Sequence, residues 1–374
     1  MISQPAHRKL LFHIGHHKTG STSIQNAFAA GKVRLVGGRI LYPGKLSHNY
    51  LRRGFETYLR EGRVLPDAEG FPGLATISER LRPGNFNFAV FSGEAFEDVA
   101  PAGFLKVLRE FILPHVTDHA VICYVRPHAA RILSGFGEGI KVGQVSAPLD
   151  IFVANAIKNG RLLYTQQLGA WETAFGGHLM IRPMIRTELA GGSVLQDFVK
   201  TGFGPDAPVR IETETWANES LCLEDLILLK LVQDHLVSRS RNLRLNMGWE
   251  LSAAISAATR AGKSGTKLML HRDLAERIRT TYCEDAEALD ARYFGGRALF
   301  RSELDRAVDE ALPKPQSFEP TDHFNAETLS TISLMASQIN VMLDHQSGPW
   351  SDFLKKRRIA ALHAHEQIPP PNIN

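Results

Sequence analysis

From Leu10 to Thr201, short apolar runs alternate with stretches of helical spacing. Leu10, Leu11, Phe12 and Ile14 form a run too short for a helix and too continuous for a half-exposed strand, so they predict a buried strand. Ile24, Ala27, Phe28 and Gly31 then fall at i, i+3, i+4 and i+7, which predicts a helix from about Ser21. Arg39 to Pro43 predicts a short extended piece, and Ser47-His48-Asn49 offers caps for a helix to about Arg60. A Gly- and Pro-rich loop over 61–73 precedes a helix at Leu74 to Leu81. Phe86 to Phe91, His119 to Val125 and His178 to Ile181 predict further strands. Helical patterns separate or follow them at Ala102–Leu113, Pro127–Val142, Leu149–Asn159, Tyr164–Phe175 and Ser193–Thr201. The Pro127–Val142 pattern is the cleanest: Ala129, Leu133, Phe136 and Ile140 on one face, Arg131, Ser134, Glu138 and Lys141 on the other.

Strands alternating with helices predict an α/β fold, a parallel sheet wound on both faces into three layers. Beyond Pro208 the pattern changes. Leu221 to Leu236 and Leu270 to Tyr293 predict helices, and no strand is expected. The tail from Gln367, ending Pro369-Pro370-Pro371-Asn372-Ile373-Asn374, is expected to fray.

Composition narrows the picture modestly. The 374 residues are 44% hydrophobic and 22% charged, as in an ordinary globular protein. A net charge of +4 suits an anionic ligand, yet no dense Lys/Arg block suggests nucleic acid as a partner. Arg239, Arg241 and Arg244 do cluster, as a solvated helix end or a docking face for an acidic substrate. Cys123, Cys222 and Cys283 are widely spaced, without metal-ligand spacing, and fit a reducing compartment. Met1 to Lys9 lacks an apolar signal core and no run is long enough for an integral membrane segment, so a cytoplasmic location is expected.

The candidate chemistry begins at Gly15-His16-His17-Lys18-Thr19-Gly20-Ser21-Thr22-Ser23, between the first strand and first helix. Strand, Gly-bounded loop and helix place backbone N–H groups at a helix N-terminus, where the peptide dipoles favour a phosphate. The spacing approaches the G-x-x-x-x-G-K-[ST] loop of nucleoside triphosphatases, with Ser21 where the lysine belongs and Lys18 moved into the loop. Such a loop should hold a phosphate and hydrolyse ATP or GTP poorly. Gly262-Lys263-Ser264 imitates the tail of this motif, but it lacks a preceding strand and has Ala257 in place of the first glycine.

A second constellation follows the 119–125 strand. Arg126 stands where the strand ends, able to fork onto a phosphate, and Ser134 follows on the next helix. Each of these, read alone, could equally be a cap or a surface residue.

Together the two motifs resemble those of the sulfotransferases that use 3′-phosphoadenylyl sulfate (PAPS). His17-Lys18-Thr19-Gly20-Ser21-Thr22 is similar to their 5′-phosphosulfate loop P-K-[TS]-G-[TS]-[TS], with His17 for the common proline. Arg126 and Ser134 match their 3′-phosphate motif of an arginine ending a strand and a serine eight residues on. Tyr164–Trp171, Ile181-Arg182-Pro183 through Asp197-Phe198, and Asn218–Leu221 are similar to bacterial members. The resemblance covers about His7 to Leu221 and implies a nucleoside-triphosphatase-like (P-loop) fold that transfers sulfuryl without hydrolysing a triphosphate. It makes the chain a single sulfotransferase domain over 1–374, with a nucleotide-binding core at about 8–210 and a helical C-terminal part at about 211–366.

The implied reaction is in-line attack on sulfur by an acceptor hydroxyl or amine, with adenosine 3′,5′-bisphosphate (PAP) leaving. Lys18 is the expected cation at the bridging oxygen, with Thr22, Ser23 and the loop amides on the 5′-phosphate. Glu94, after the Phe86–Phe91 strand, is the first candidate base and His48 the second; each could instead be a structural or capping group. His16 and His17 are placed to touch the sulfuryl oxygens. Adjacent histidines rarely point the same way and no third ligand is near, so no metal is expected there. Family analogy points to a carbohydrate or glycolipid acceptor, with small molecules open. The rivals are a P-loop kinase or NTPase, disfavoured by Ser21 and by the want of an acidic magnesium-binding strand end, and a non-catalytic PAP-binding protein.

Overall fold

In the computed structural model, residues 7–68, 70–212, 221–259, 265–344 and 347–363 are described. Residues 218–220, the imitation loop at 262–264 and the tail from Gln367 lie outside them. The chain opens with β1 (Lys9–His13), α1 (Ser21–Ala29), β2 (Val33–Leu35) and β3 (Ile40–Leu41). It continues through α2 (Leu51–Glu61), α3 (Leu74–Leu81), β4 (Phe88–Ser92), α4 (Pro101–Phe111) and β5 (Asp118–Val125). Next come α5 (His128–Lys141), α6 (Leu149–Lys158), α7 (Tyr164–Phe175), β6 (Leu179–Pro183), α8 (Val194–Phe203) and β7 (Val209–Ile211). Among the described residues that follow, the long elements are helices: α9 (Leu223–His235), α10 (Arg241–Thr259), α11 (Arg272–Tyr293), α12 (Leu299–Asp309), α13 (Ala326–Asp344) and α14 (Ser347–His363).

These elements group into two compact units, 1–127 with 164–217 and 128–163 with 218–374. The first holds a five-stranded sheet of order β3-β4-β1-β5-β6, parallel at every pairing. The chain leaves β1 towards β4 and β3 and later crosses to β5 and β6, so the strand order reverses beside β1. In open parallel sheets that reversal opens a crevice at the strands' carboxyl ends. The loop after β1 sits at that end.

Alternation along the strands builds a layer on each face. Leu11, Val90, Ile122 and Tyr124 meet Ile24 and Phe28 of α1 and Leu195 and Phe198 of α8. Phe12 points the other way, its ring packed on Phe91, Phe96 and Phe104. Phe55 of α2 and Trp171 of α7 extend that cluster through Phe96 and Phe104. Phe12 is fully buried, a burial worth about 2–3 kcal/mol. Helix, parallel sheet and helix make the three layers of an α/β unit.

The expectation of no strand beyond Pro208 is corrected by β7, which pairs antiparallel with β2 (Val33↔Ile211, Leu35↔Val209). Val209-Arg210-Ile211 is too short to show a period, and its strand character comes from its partner.

The second unit groups α5 and α6 with the C-terminal helices, where the sequence places them in the core up to residue 210. Their packing accounts for it: α5 meets α9, α10, α11 and α12, and α6 meets α11. A buried His128–Asp285 pair (Nε2···Oδ2 2.9 Å) and the Tyr282 hydroxyl donating to the Arg161 carbonyl (2.9 Å) tie α11 to this segment. Among the described residues no helix is long and apolar enough to cross a membrane.

Candidate functional site

The loop from Ile14 to Gly20 is shaped by two left-handed residues, Lys18 (φ 68°) and Gly20 (φ 80°). Turns of this kind aim backbone N–H groups at a common hollow suited to anions. Glycine takes the conformation freely, and a side chain at position 20 would also meet Val194 Cγ1 at 2.9 Å. Lysine does not take it freely, so something must hold Lys18. Arg126 Nη1 donates to the Lys18 carbonyl (2.9 Å), and the buried Thr19 hydroxyl donates to the His16 carbonyl (2.6 Å). Ser21 is buried, whereas Thr22 and Ser23 on the first turn of α1 are half-buried.

A carboxylate grips the other side of the loop. Glu97, on the turn after β4, accepts from the His17 backbone N–H (3.0 Å) and from His16 Nδ1 (3.1 Å). Burial opposes charge on His16, but its contacts with Cys123 and Glu97 raise its pKa above the ordinary imidazole value. The His17 ring is more exposed and stands 3.6 Å from Glu97.

Glu94 begins the same turn. The Gly93 N–H donates to the His13 carbonyl (3.0 Å), pinning the end of β4 to the end of β1. Glu94 therefore lies at the sheet's carboxyl edge, where its carboxylate accepts from Gln25 Nε2 of α1 (2.9 Å).

His48 sits elsewhere. Its ring is fully buried among Tyr42, Tyr50 and Phe91, and its Nδ1 accepts from the Ser92 N–H (3.1 Å). Burial lowers its pKa to about 3. A fully buried neutral imidazole cannot be reached by an acceptor hydroxyl. That is the physical case against His48 as the second base.

His13 matters to the site although the sequence pattern alone does not single it out. It ends β1, is fully buried, and shares a proton with Ser92 Oγ through Nδ1 (2.8 Å). Burial lowers its pKa to about 4, against the raising influence of Glu94. Its Nε2 lies under the loop: a methyl on Gly15 would stand 2.6 Å from it and 2.9 Å from Thr19 Oγ1. Glu97 is equally hidden in the sequence. A second carboxylate three residues after Glu94 was its available signal, as a histidine ending an apolar run was for His13.

The structure joins Arg126 to the loop through Lys18, and Tyr164 supports it by donating to the Arg126 carbonyl (3.0 Å). Tyr164 also sets its ring edge-on to His16 at 5.1 Å. Ser134 lies half-buried on α5, in the second unit. The Ile181–Phe198 stretch has a structural logic of its own. Asp197 accepts from Arg182 Nη2 (2.7 Å) and Nε (2.9 Å), Tyr124 (2.8 Å) and the Ala190 N–H (3.0 Å). Burial opposes the charge, yet these donors hold the carboxyl below its ordinary range. Away from the loop, Asp118, His119 and His178 at the start of β5 and β6 bring ligand-type atoms within 4.8 Å of one another. Lys9 shares Asp118 (3.5 Å), and His178 Nδ1 donates to the His119 carbonyl (3.0 Å).

No family model and no curated protein sequence matches the chain. Among solved structures it is similar to a sulfotransferase from Alicyclobacillus acidocaldarius, at 12% identity and a TM-score of 0.38, over 80% of this chain and 100% of that one. A likeness of that size says nothing of this chain's activity.

Proposed function

We propose that the protein is a sulfotransferase that moves the sulfuryl group of PAPS to an acceptor hydroxyl. The reading rests on motif resemblance, and the observation that carries it is the Arg126–Lys18 contact (2.9 Å). Two motifs 108 positions apart in the chain meet in one hydrogen bond. A nucleotide with phosphate at both its 5′ and 3′ positions needs both motifs at once.

In this reading the 5′-phosphosulfate lies against the backbone amides of Thr19, Gly20 and Ser21 and the His17 side chain, with Thr22 and Ser23 adding hydroxyls at the N-terminus of α1. Arg126 takes the 3′-phosphate. Ser134 joins it on the strength of motif spacing. The acceptor oxygen forms a bond to sulfur as the bond from sulfur to the phosphate oxygen breaks, and PAP departs with the electron pair. Lys18 neutralises the growing charge on that oxygen. Glu94 accepts the acceptor's proton. Lys18 and the N-terminus of α1 supply positive potential at the leaving oxygen without calling on a metal. Resemblance favours a carbohydrate or glycolipid acceptor.

The test is transfer of radiolabelled sulfate from PAPS to a glycan and lipid extract of the source organism. The reading predicts a labelled product that Glu94→Gln reduces at least a hundredfold while PAP still binds. Full activity in that variant removes Glu94 from the base role, and no labelled product from the wild-type protein contradicts the assignment.

A further inference from the structure

The arginine cluster noted in the sequence belongs to a cavity. Arg239 comes from the turn after α9, and Arg241 and Arg244 from the first turn of α10. Val142, Gly143 and Gln144, just after α5, face them across a space of about 370 Å³. All of it lies within the second unit.

Three features set it apart from a solvated helix end. First, Arg241 and Arg244 meet neutral partners. Gln144, with its amide oxygen turned inward, accepts from Arg241 Nε (3.2 Å) and Nη2 (3.3 Å). Gln233 Oε1 accepts from Arg244 Nε (3.4 Å), and Arg239 donates to Asn340 Oδ1 (2.5 Å) and its carbonyl (2.6 Å). Among the described residues neither Arg241 nor Arg244 has a carboxylate at ion-pairing distance. Second, the charges stand at the positive end of the α10 dipole, where a carboxylate would normally be favoured. Third, the position is built. Gln233, 1% exposed, donates to the Lys141 carbonyl (2.9 Å) and the Arg244 carbonyl (3.0 Å), fastening the end of α5 to α10. Gly143 is left-handed (φ 68°), and a methyl there would stand 2.5 Å from Arg244 Nη2. The guanidinium thus lies against bare backbone.

We propose that this cavity binds a small organic molecule through a phosphate or sulfate ester group, held by Arg241 and Arg244. Planar guanidinium forks match tetrahedral oxyanions two bonds at a time. The volume falls in the range of small-ligand sites and exceeds what a bare oxyanion needs.

The full chain is titrated with glucose 6-phosphate and glucose 6-sulfate, with glucose and sodium chloride of matched ionic strength as controls, following the thermal unfolding midpoint. At least one ester should raise the midpoint saturably beyond the controls, and the stronger of the two identifies the anion. Arg241→Gln, at an exposed position, should raise the half-saturating concentration at least tenfold. Arg244→Lys, which keeps the charge and loses the fork, should raise it several-fold. Lys18→Ala should leave it within twofold, whether or not PAPS proves to be the donor. Lack of a saturable response, an unchanged response in both arginine variants, or its loss in Lys18→Ala overturns the proposal, the last by placing the anion in the phosphate loop.

Discussion

Lys18 carries two opposed demands. As the cation of the proposed reaction it must stand inside the loop, yet its left-handed backbone (φ 68°) costs a residue with a Cβ about 1–2 kcal/mol. Arg126 holds it there through its carbonyl. Replacing Lys18 by glycine removes the strain and adds unfolded-state freedom, which offsets part of the gain. Lys18→Gly is therefore expected to be as stable as wild type or up to about 1 kcal/mol more stable in urea. Sulfuryl transfer should fall at least a hundredfold. A variant clearly less stable than wild type would show that the lysine side chain, not the strain, dominates there. The identity and place of this lysine are legible in the sequence, because loop glycines and hydroxyls surround it. Its handedness is not, because the restraint arrives from a residue 108 positions away. His48 teaches the same lesson from the other direction. A histidine after a Tyr-Pro-Gly turn looks like a base, and only the ring's burial among aromatics removes it from reach.

The strand–loop–helix element is fixed from below as well as from its ends. His13 Nε2 and Thr19 Oγ1 leave no room for a side chain at Gly15, and both groups are themselves held, His13 by Ser92 (2.8 Å) and Thr19 by the His16 carbonyl (2.6 Å). Gly15→Ala should cost about 1–3 kcal/mol of stability, the usual penalty of overpacking. PAP affinity should weaken at least tenfold as the loop shifts, with both readings available from calorimetry and urea unfolding. Wild-type affinity would mean that the phosphate lies elsewhere. At this scale the sequence is most readable where burial is two-sided: Leu10–Ile14 and His119–Val125 predict β1 and β5 to within a residue or so. It is least readable where one element borrows its structure from another. The β2–β7 pair of three-residue strands and the grouping of α5 and α6 with α9 to α12 depend on partners far away in sequence.

For the folded chain as a whole, His13 and His48 set a dependence on pH. Both are buried neutral, with pKa values lowered to about 4 and about 3 by burial. Between pH 6.5 and those values the unfolded chain binds protons that the folded one refuses, so stability rises with pH across that window and is lost as pH falls. His16 has a raised pKa and acts oppositely: its contribution is present below pH 6.5 and is lost as pH rises above it. From pH 7 down to pH 5, above the carboxylate range, two falling contributions face one that is already saturating, and the urea midpoint should drop. His48→Asn places an amide oxygen near Nδ1 to accept from the Ser92 N–H, and it should flatten that drop. An unchanged slope would mean that His48 takes up its proton in the folded state.

The central claim is that one nucleotide spans the loop and Arg126. Calorimetry of PAP against ADP, which lacks the 3′-phosphate, tests it most directly. PAP should bind at least tenfold more tightly, and Arg126→Gln should abolish the difference; equal affinity of the wild-type protein for both nucleotides would contradict the account.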